Sequence, residues 1–557
     1  MSVYKFGCGC EIPIINEDKK DCDDLPSLRI PYNDIQIALN YGNVCDETWD
    51  LLSSGKTKGI FQLETELGQS WSSRLKPTSM EEIAALISLI RPGCLRAIVD
   101  GKSMTQHYVD RKSGVEPTEF FHKQLAPILS KTYGVLTYQE QAMRIATVIA
   151  GFNEQEADIL RKAIGKKKPE IMAQVKKTFI DGCRKVGLVT EEEAEEIFSW
   201  IQESQKYSFN KSHGIGYGEI GFLTAYVKKH FPLQFFCSWM KFARHKQDPQ
   251  EEIKLLVSDA KQFDIEIRPP SIKTIRENNC DMCVSDNHVN FGIRCIKKIG
   301  ESVITKMLAE INNLEEELGK PIHEWSWYEF LVCLGDKISS TAFNGLISVG
   351  ALSHYSYSRQ SMLYDYEHYR KLTKLERKSL RDYKDSTPTI SDGLDRLISY
   401  DKSDGGASTV TRKRKIQDIK QLLDNPPHSI QDSPKWIIAQ EKQLLGTALT
   451  FTPIQAVDCF IVTNTTCREY NDGKTLKNMS MRGEITKCRE WTIKNGKNVG
   501  SKMAFINLED DTGTTECVVF TDSWLEYEAD LYEGCTVIVK GSRSDKGSFI
   551  INEVFPI

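Results

Sequence analysis

Residues 157–170 read Ala157-Asp158-Ile159-Leu160-Arg161-Lys162-Ala163-Ile164-Gly165-Lys166-Lys167-Lys168-Pro169-Glu170. Ala157, Leu160 and Ile164 recur as one face of a helix packed on a core. Gly165 suits the position just past a helix end, and Pro169 suits the first turn of the next helix. Two helices broken at a cationic bend are predicted. Downstream, Thr190-Glu191-Glu192-Glu193 is a capping box, followed by Ala194, Ile197, Phe198 and Ile201 at i, i+3, i+4 and i+7. The same helical texture runs from about Thr48 to Pro232.

Outward from this block the texture changes. The first fifty residues are turn-rich and acidic, with Glu17 to Asp24 as a solvated run. Residues from roughly 250 to 360 read as a smaller mixed module. Residues 365–435 hold Asp404-Gly405-Gly406, the basic run Arg412-Lys413-Arg414-Lys415 and Asn425-Pro426-Pro427, with little apolar periodicity, and read as a linker with helical pieces. From Met481 onward short strands alternate with turns, including a hairpin at Lys494-Asn495-Gly496 and a turn at Asp510 to Gly513. Five such strands fit a small OB-like barrel. The fold class is multidomain α+β.

The chain has 557 residues, enough for about four domains at ~150 residues each. Its 72 Lys plus Arg against 77 Asp plus Glu give a net charge of −5, which excludes a globally basic coat and confines any polyanion contact to local patches. No apolar run approaches the ~18 residues that a membrane span needs. The start lacks a long apolar stretch behind a basic one, so no secretory signal is expected, and the 16 cysteines are expected to be thiols in a reducing cytoplasm.

Several segments invite chemistry. Ser53-Ser54-Gly55-Lys56-Thr57 ends like a phosphate-binding loop, but the required earlier glycine is Asp50, so that reading and ATP-driven chemistry fail. Cys8, Cys10, Cys22 and Cys45 are either a zinc knuckle or reduced thiols; the wide second spacing and the lack of a histidine favour thiols. Between Arg161 and Lys177 seven cations face one Glu170, which is either a solvated face or a phosphate site. Phe209-Asn210-Lys211-Ser212-His213 opens a helix whose expected apolar stripe is Ile220, Leu223 and Val227. Its start offers N–H groups to an anion, unless Ser212 is simply a cap. Glycines 214, 216, 218 and 221 would each weaken that helix by ~1 kcal/mol, so something should approach its backbone closely. Ile296-Lys297-Lys298-Ile299-Gly300-Glu301 has the look of a helix-hairpin-helix turn, with Asn344 to Leu352, around Gly345 and Gly350, as a companion. Helix–glycine–helix also describes a plain helix end.

Taken in order, these segments resemble the bacterial replicative DNA polymerases of family C, the DNA polymerase III alpha subunits. The matching pieces are Gly59-Ile60-Phe61-Gln62-Leu63-Glu64, Leu89-Ile90-Arg91-Pro92-Gly93, Tyr133-Gly134-Val135-Leu136-Thr137-Tyr138-Gln139-Glu140-Gln141, the 157–170 stretch and Phe209 to His213. The resemblance implies an N-terminal palm remnant or irregular segment over 1–47 and helical fingers over 48–240. A helix-hairpin-helix duplex-binding domain over 241–360, a linker over 361–435 and an OB-fold domain over 436–557 would follow. It also implies a DNA-directed DNA polymerase activity with dNTP as substrate and Mg²⁺ as cofactor. Arg161, Lys162, Lys166, Lys167, Asn210, Lys211 and His213 would face the incoming nucleotide, where charge-assisted hydrogen bonds are the strong ones. Lys297, Lys298, Gly300 and Gly350 would meet DNA. Trp491, Phe505, Phe520 and Phe549 are the aromatic candidates for single-strand stacking in the barrel.

The departures from the family shape the expected partners. Its strand-borne Asp-x-Asp palm motif has no convincing counterpart: Asp21-Cys22-Asp23 lies in a polar run, and Asp34 is only a faint candidate for a third aspartate. No metal-binding set is assigned, and Mg²⁺ is expected to be held mainly by a separate palm-bearing polypeptide. Primer–template DNA and a sliding clamp are the other implied partners, in a bacterial or phage-infected cytoplasm. The rival reading is a nonenzymatic DNA-binding accessory that kept the grip and lost the chemistry.

Overall fold

The Met80–Leu89 helix is buried around most of its circumference, from Glu82 through Leu89, and the first compact unit of the chain is built around it. The computed structural model describes residues 3–5, 11–13, 45–166, 169–204, 208–276, 280–400, 409–457, 462–474, 478–494, 498–544 and 547–557. The chain divides between Pro232 and Leu233 into two units. In the first, the Lys211–His230 helix crosses Met80–Leu89, with Asp46–Ser54 beside it. A second cluster joins the Gln139–Ala150, Glu154–Lys166, Pro169–Val186 and Glu191–Ser204 helices through Ile145, Ile149, Leu160, Phe179, Phe198 and Ile201.

The capping box at Thr190 forms: its N–H donates to Glu193 Oε2 at 2.7 Å, and Glu193 N–H donates to Thr190 Oγ1 at 3.2 Å. Ala194, Ile197, Phe198 and Ile201 are all buried behind it. Ala157 and Leu160 are buried as well. Gly165 does not stop its helix, which runs one residue further to Lys166, and Pro169 opens the next. Gly55 ends the Asp46–Ser54 helix at φ 77, so the Gly-Lys-Thr sequence here is a helix terminus rather than a phosphate loop.

Strands β1 (Val3–Lys5) and β2 (Glu11–Pro13) pair antiparallel, as do β3 (Ile98–Val99) and β4 (Lys102–Ser103). Glu116 ties the second hairpin to the Met104–Lys112 helix. Its carboxylate accepts from Arg111 Nε at 2.7 Å and His107 Nδ1 at 2.9 Å, while His107 Nε2 faces the Val99 carbonyl at 2.8 Å. Burial pushes the Glu116 carboxyl up, but the bonds from Arg111 and His107 outweigh it and hold it at about 2. A depressed carboxylate stabilises the fold above its ordinary value of 4.5, and that contribution is lost as the pH falls toward 2. Glu116→Gln should therefore cost at most about 3 kcal/mol at pH 7, with the gap closing below pH ~4. Denaturant unfolding of both proteins across pH 3–8 measures it, and a pH-independent gap would assign the loss to packing.

The second unit begins with the Pro232–Ala243 and Pro249–Lys261 helices. A small sheet follows, order β5-β7-β6, from β5 (Glu266–Arg268), β6 (Cys283–Ser285) and β7 (His288–Asn290). Residues 361–435, expected as a linker with helical pieces, hold helices that pack on one another. The described part carries Arg359–Arg370, Lys374–Asp382, Ile390–Ser399 and Val410–Asp424, burying Met362, Tyr366, Tyr369, Leu380, Leu394, Leu397 and Ile416. Ile390, Leu394 and Leu397 carry a helical stripe that sequence reasoning passed over, and ion pairs share the interior beside it: Arg377 Nε donates to Asp336 Oδ2 at 2.7 Å and Arg412 Nε to Glu376 Oε1 at 2.6 Å.

The C-terminal strands close a barrel. β8 (Met479–Thr492), β9 (Lys502–Asp510), β10 (Gly513–Val519), β11 (Thr536–Arg543) and β12 (Phe549–Pro556) run in the order β10-β12-β11-β8-β9. Met481, Ile485, Ile506, Leu508, Val519, Val537, Phe549 and Ile551 fill it. The expected turn at Asp510 to Gly513 joins β9 to β10, with Asp510 Oδ1 accepting from Thr512 N at 2.7 Å and Gly513 N at 3.1 Å. Asn495 and Gly496 of the other expected hairpin lie outside the described residues. The Pro249–Lys261 helix grips the barrel by Ser258–Thr514 at 2.6 Å and Lys261–Glu509 at 2.8 Å.

Candidate functional site

Segments far apart in sequence meet at the start of the Lys211–His230 helix. Phe209 N–H donates to the Thr137 carbonyl at 3.0 Å and Gln139 N–H to the Phe209 carbonyl at 2.9 Å, a short parallel bridge. Asn210 is the helix cap, its Oδ1 accepting from His213 N at 2.8 Å and its Nδ2 donating to Glu140 Oε1 at 2.7 Å. The Arg91 guanidinium stacks 4.1 Å over the Phe209 ring. The rings then continue along the helix: Phe209 to His213 at 5.3 Å, His213 to Tyr217 at 3.9 Å and Tyr217 to Phe61 at 5.2 Å. Lys211 Nζ stands 5.9 Å from the Tyr138 ring. A guanidinium, an imidazole and three aromatic rings thus share one edge, with His213 exposed on it and the Lys211 ammonium over the neighbouring Tyr138 ring.

The glycines of this helix serve its packing. A Cβ at Gly214 would lie 3.3 Å from Ser88 Oγ, at Gly218 3.3 Å from Ile83 Cγ2, and at Gly221 3.3 Å from the Phe61 carbonyl oxygen. The close neighbours are the Met80–Leu89 helix and the Phe61 turn, so the approach expected at this backbone is intramolecular. The buried face is Gly214, Gly218, Gly221, Phe222, Ala225 and Tyr226. The expected stripe of Ile220, Leu223 and Val227 lies on the opposite side, with Ile220 46% exposed. Apolar spacing misled because the first buried positions, 214, 218 and 221, are glycines. Gly216 faces open space. Gly216→Ala should stabilise the protein by about 0.5–1 kcal/mol, whereas Gly218→Leu should destabilise it by about 1–3 kcal/mol by wedging the helices apart. Thermal unfolding of the pair checks the opposite signs.

The remaining expected cations are placed less directly. Arg161 Nη2 and Lys162 Nζ pair with Asp158 at 2.8 and 2.6 Å, and the bonds from Lys162 and Arg161 pull the Asp158 carboxyl down. Among the described residues, no hydrogen bond, ion pair or ring contact joins Arg161 or Lys162 to the Asn210–His213 turn. Lys166 ends its helix, and Lys167 and Lys168 lie outside the described residues. Sequence reasoning passed over Arg91, Glu140 and Tyr217. The i+4 spacing of His213 and Tyr217 was the available signal, since it places both on one helix edge.

In the second unit, Lys297, Lys298 and Gly300 are exposed, and Gly300 caps the Glu301–Leu318 helix with open space around its α-carbon. The element preceding this turn is a single 3₁₀ turn, Ile293–Cys295. Gly345 packs on Ile296 and Ile299, so the two expected hairpins touch. Gly350 turns at φ 80 against the buried Arg359 guanidinium. On the barrel, Arg489 pairs across strands with Phe505 and Trp491 with Met503, placing all four on one face. Arg489 stacks on Phe505 at 5.3 Å, and Lys494 stands 5.5 Å from the 44%-exposed Trp491. Phe549 is core and Phe520 is exposed at a helix start.

Most of the candidate metal ligands lie outside the described residues. Cys45 Sγ lies 3.1 Å from His230 Nε2 and accepts from Thr48 Oγ1, while Cys8, Cys10 and Cys22 lie outside the described residues. So do Asp21, Asp23 and Asp34. No group of three or more His, Cys, Asp or Glu among the described residues is placed to hold a metal ion, so these residues do not fit a Mg²⁺ pair. No helix among them is long and apolar enough to cross a membrane.

A family model described as the bacterial DNA polymerase III alpha subunit finger domain matches residues 28–187, and an OB-fold nucleic acid binding domain matches residues 479–549. DNA polymerase III subunit alpha of Aquifex aeolicus is 30% identical over 547 residues, covering 96% of this chain and 40% of that protein. The Bacillus subtilis subunit is 30% identical over 512 residues, 91% of this chain and 41% of its own. That of Thermus aquaticus is 37% identical over 312 residues, 55% of this chain and 24% of its own. The chain spans about two-fifths of the length of the first two relatives.

Proposed function

We infer, from a chain that is a relative of bacterial DNA polymerase III alpha subunits and carries their finger domain and an OB-fold domain, that it works in DNA-directed DNA synthesis. In this reading it binds incoming dNTP and primer–template, while a palm-bearing polypeptide supplies the carboxylates for Mg²⁺. The observation that carries the reading is the edge of exposed Arg91 and His213 and half-buried Phe209, Tyr217 and Phe61, where the finger segments converge. Lys211 and His213 donate to the triphosphate there, with Arg161, Lys162, Lys166 and Lys167 supplying further cations and Asn210 holding the turn. Lys297, Lys298 and the Gly300 backbone meet duplex phosphates, with Gly350 shaping the companion hairpin. Sliding-clamp contact and a cytoplasmic site of action in a bacterial or phage-infected cell complete the proposal.

The barrel's Arg489, Trp491, Lys494 and Phe505 face stacks single-stranded bases beside a salt-sensitive groove. Titrating the full chain with a labelled oligonucleotide at two salt concentrations tests this. Trp491→Ala should weaken binding by about 1–3 kcal/mol, and Arg489→Ala should lower the salt slope by about one. No binding by the full chain at low salt would sink the single-strand role.

A further inference from the structure

The Glu140 side chain ties both the Asn210 amide and the Lys211 backbone. Its Oε1 accepts from Asn210 Nδ2 at 2.7 Å and its Oε2 from Lys211 N at 2.9 Å, across a separation of about seventy residues. It sits in the first turn of the Gln139–Ala150 helix, so two positive helix ends meet at one carboxylate. Both ends of the Asn210 side chain are thereby engaged, one on Glu140 and one on His213 N. Among the described residues, the other anchors of the Phe209–His213 turn are the bridge to Thr137 and Gln139, the Arg91 stack, Lys211 over the Tyr138 ring and His213 against Tyr217.

We propose that Glu140 is a positioning residue for the incoming nucleotide, fixing the Lys211-Ser212-His213 turn so that its donors face the triphosphate. This rests on the nucleotide reading above. Both Glu140 bonds are charge-assisted, about twice as strong as neutral ones, and both converge on the turn rather than on the core. The Gln139–Ala150 helix does not depend on Glu140 for its own start. Gln141 does that work, its Oε1 accepting from Thr137 N and Tyr138 N at 3.0 Å and its Nε2 donating to Thr132 Oγ1 at 2.7 Å. Glu140 is only half-buried, whereas Gln141 is buried. Removing the Glu140 carboxylate therefore loosens the turn and leaves the surrounding helices capped.

The test compares Glu140→Ala and Glu140→Gln with the unsubstituted full chain. Each is titrated with a fluorescent dATP analogue in Mg²⁺ and, separately, with a labelled primer–template, and amide exchange is followed over residues 208–214. Glu140→Ala should bind the nucleotide about tenfold more weakly, with faster exchange in the turn, a melting temperature lowered by a few degrees and unchanged DNA affinity. Glu140→Gln, which keeps one acceptor oxygen, should recover part of the loss. Equal nucleotide affinity in Glu140→Ala and the unsubstituted chain would overturn the proposal. A parallel fall in nucleotide affinity, DNA affinity and melting temperature would overturn it in favour of a plain helix cap. If the unsubstituted chain binds DNA but no nucleotide, the nucleotide reading itself falls, and this assignment with it.

Discussion

Mixed with primer–template, Mg²⁺ and all four dNTPs, a purified polypeptide of these 557 residues should bind the DNA and yet extend no primer. Two-metal nucleotidyl transfer needs carboxylates that hold two ions about 4 Å apart, clamping the attacking and leaving oxygens. Mg²⁺ demands near-octahedral oxygen geometry, so acids scattered over a surface do not substitute. The described residues offer cations, rings and helix starts, but no carboxylate group placed for a metal. Adding a polypeptide that carries the palm aspartates should bring extension up from background. Extension by the 557-residue chain alone, abolished by replacing Asp34 or another acid in residues 1–50, would place the palm in that stretch instead. Extension by neither the chain nor the mixture would favour a DNA-binding accessory.

The parts of this architecture that were legible in the sequence are those where one local rule dominates. Thr190 to Ile201 combines a cap, an acidic first turn and an uninterrupted apolar face, and each signal points to the same helix. The barrel was legible because strand alternation survives in β9, where Ala504, Ile506 and Leu508 point inward and Phe505 and Asn507 outward. The Lys211–His230 helix shows the opposite case. Its buried face opens with three glycines and only then continues through Phe222, Ala225 and Tyr226, while the stripe of Ile220, Leu223 and Val227 lies on the other side.

Within residues 361–435 the Ile390, Leu394 and Leu397 stripe was readable and passed over between charged neighbours, whereas the Lys374–Asp382 helix was obscured for a different reason. Arg377 and Glu376 are both buried, yet each reads as a surface residue until its partner is placed, and those partners are Asp336 and Arg412, 41 and 36 residues away. The candidate site has the same character. Arg91, Glu140 and Phe209 become one assembly only through the Tyr138–Phe209 bridge, which no local window contains. His213 was legible from its motif, while the residue that holds its turn was not.

The largest stability effect is expected at Glu441. Its side chain is fully buried and its Oε1 lies 2.9 Å from Arg359 Nη1, which also donates to the Ser348 carbonyl at 3.0 Å. Glu441 Oε2 accepts from Leu449 N at 2.7 Å and Thr450 N at 2.9 Å, and Arg359 Nη2 donates to Thr450 Oγ1 at 2.8 Å. Removing one partner leaves a buried charge without compensation, so Glu441→Ala should cost about 3–5 kcal/mol. The double variant Arg359→Met/Glu441→Leu should recover much of that loss, because well-packed apolar groups carry no desolvation cost. Gly350 belongs to the same network. A Cβ there would stand 2.5 Å from Arg359 Nη2 on a backbone at φ 80, which side chains rarely adopt. Gly350→Ala should therefore destabilise by about 1–3 kcal/mol, and its effect should shrink when Arg359 is already Met. Urea unfolding of the single and double variants reads both the cost and the coupling. A stable Gly350→Ala variant that binds duplex DNA more weakly would instead make Gly350 a phosphate contact.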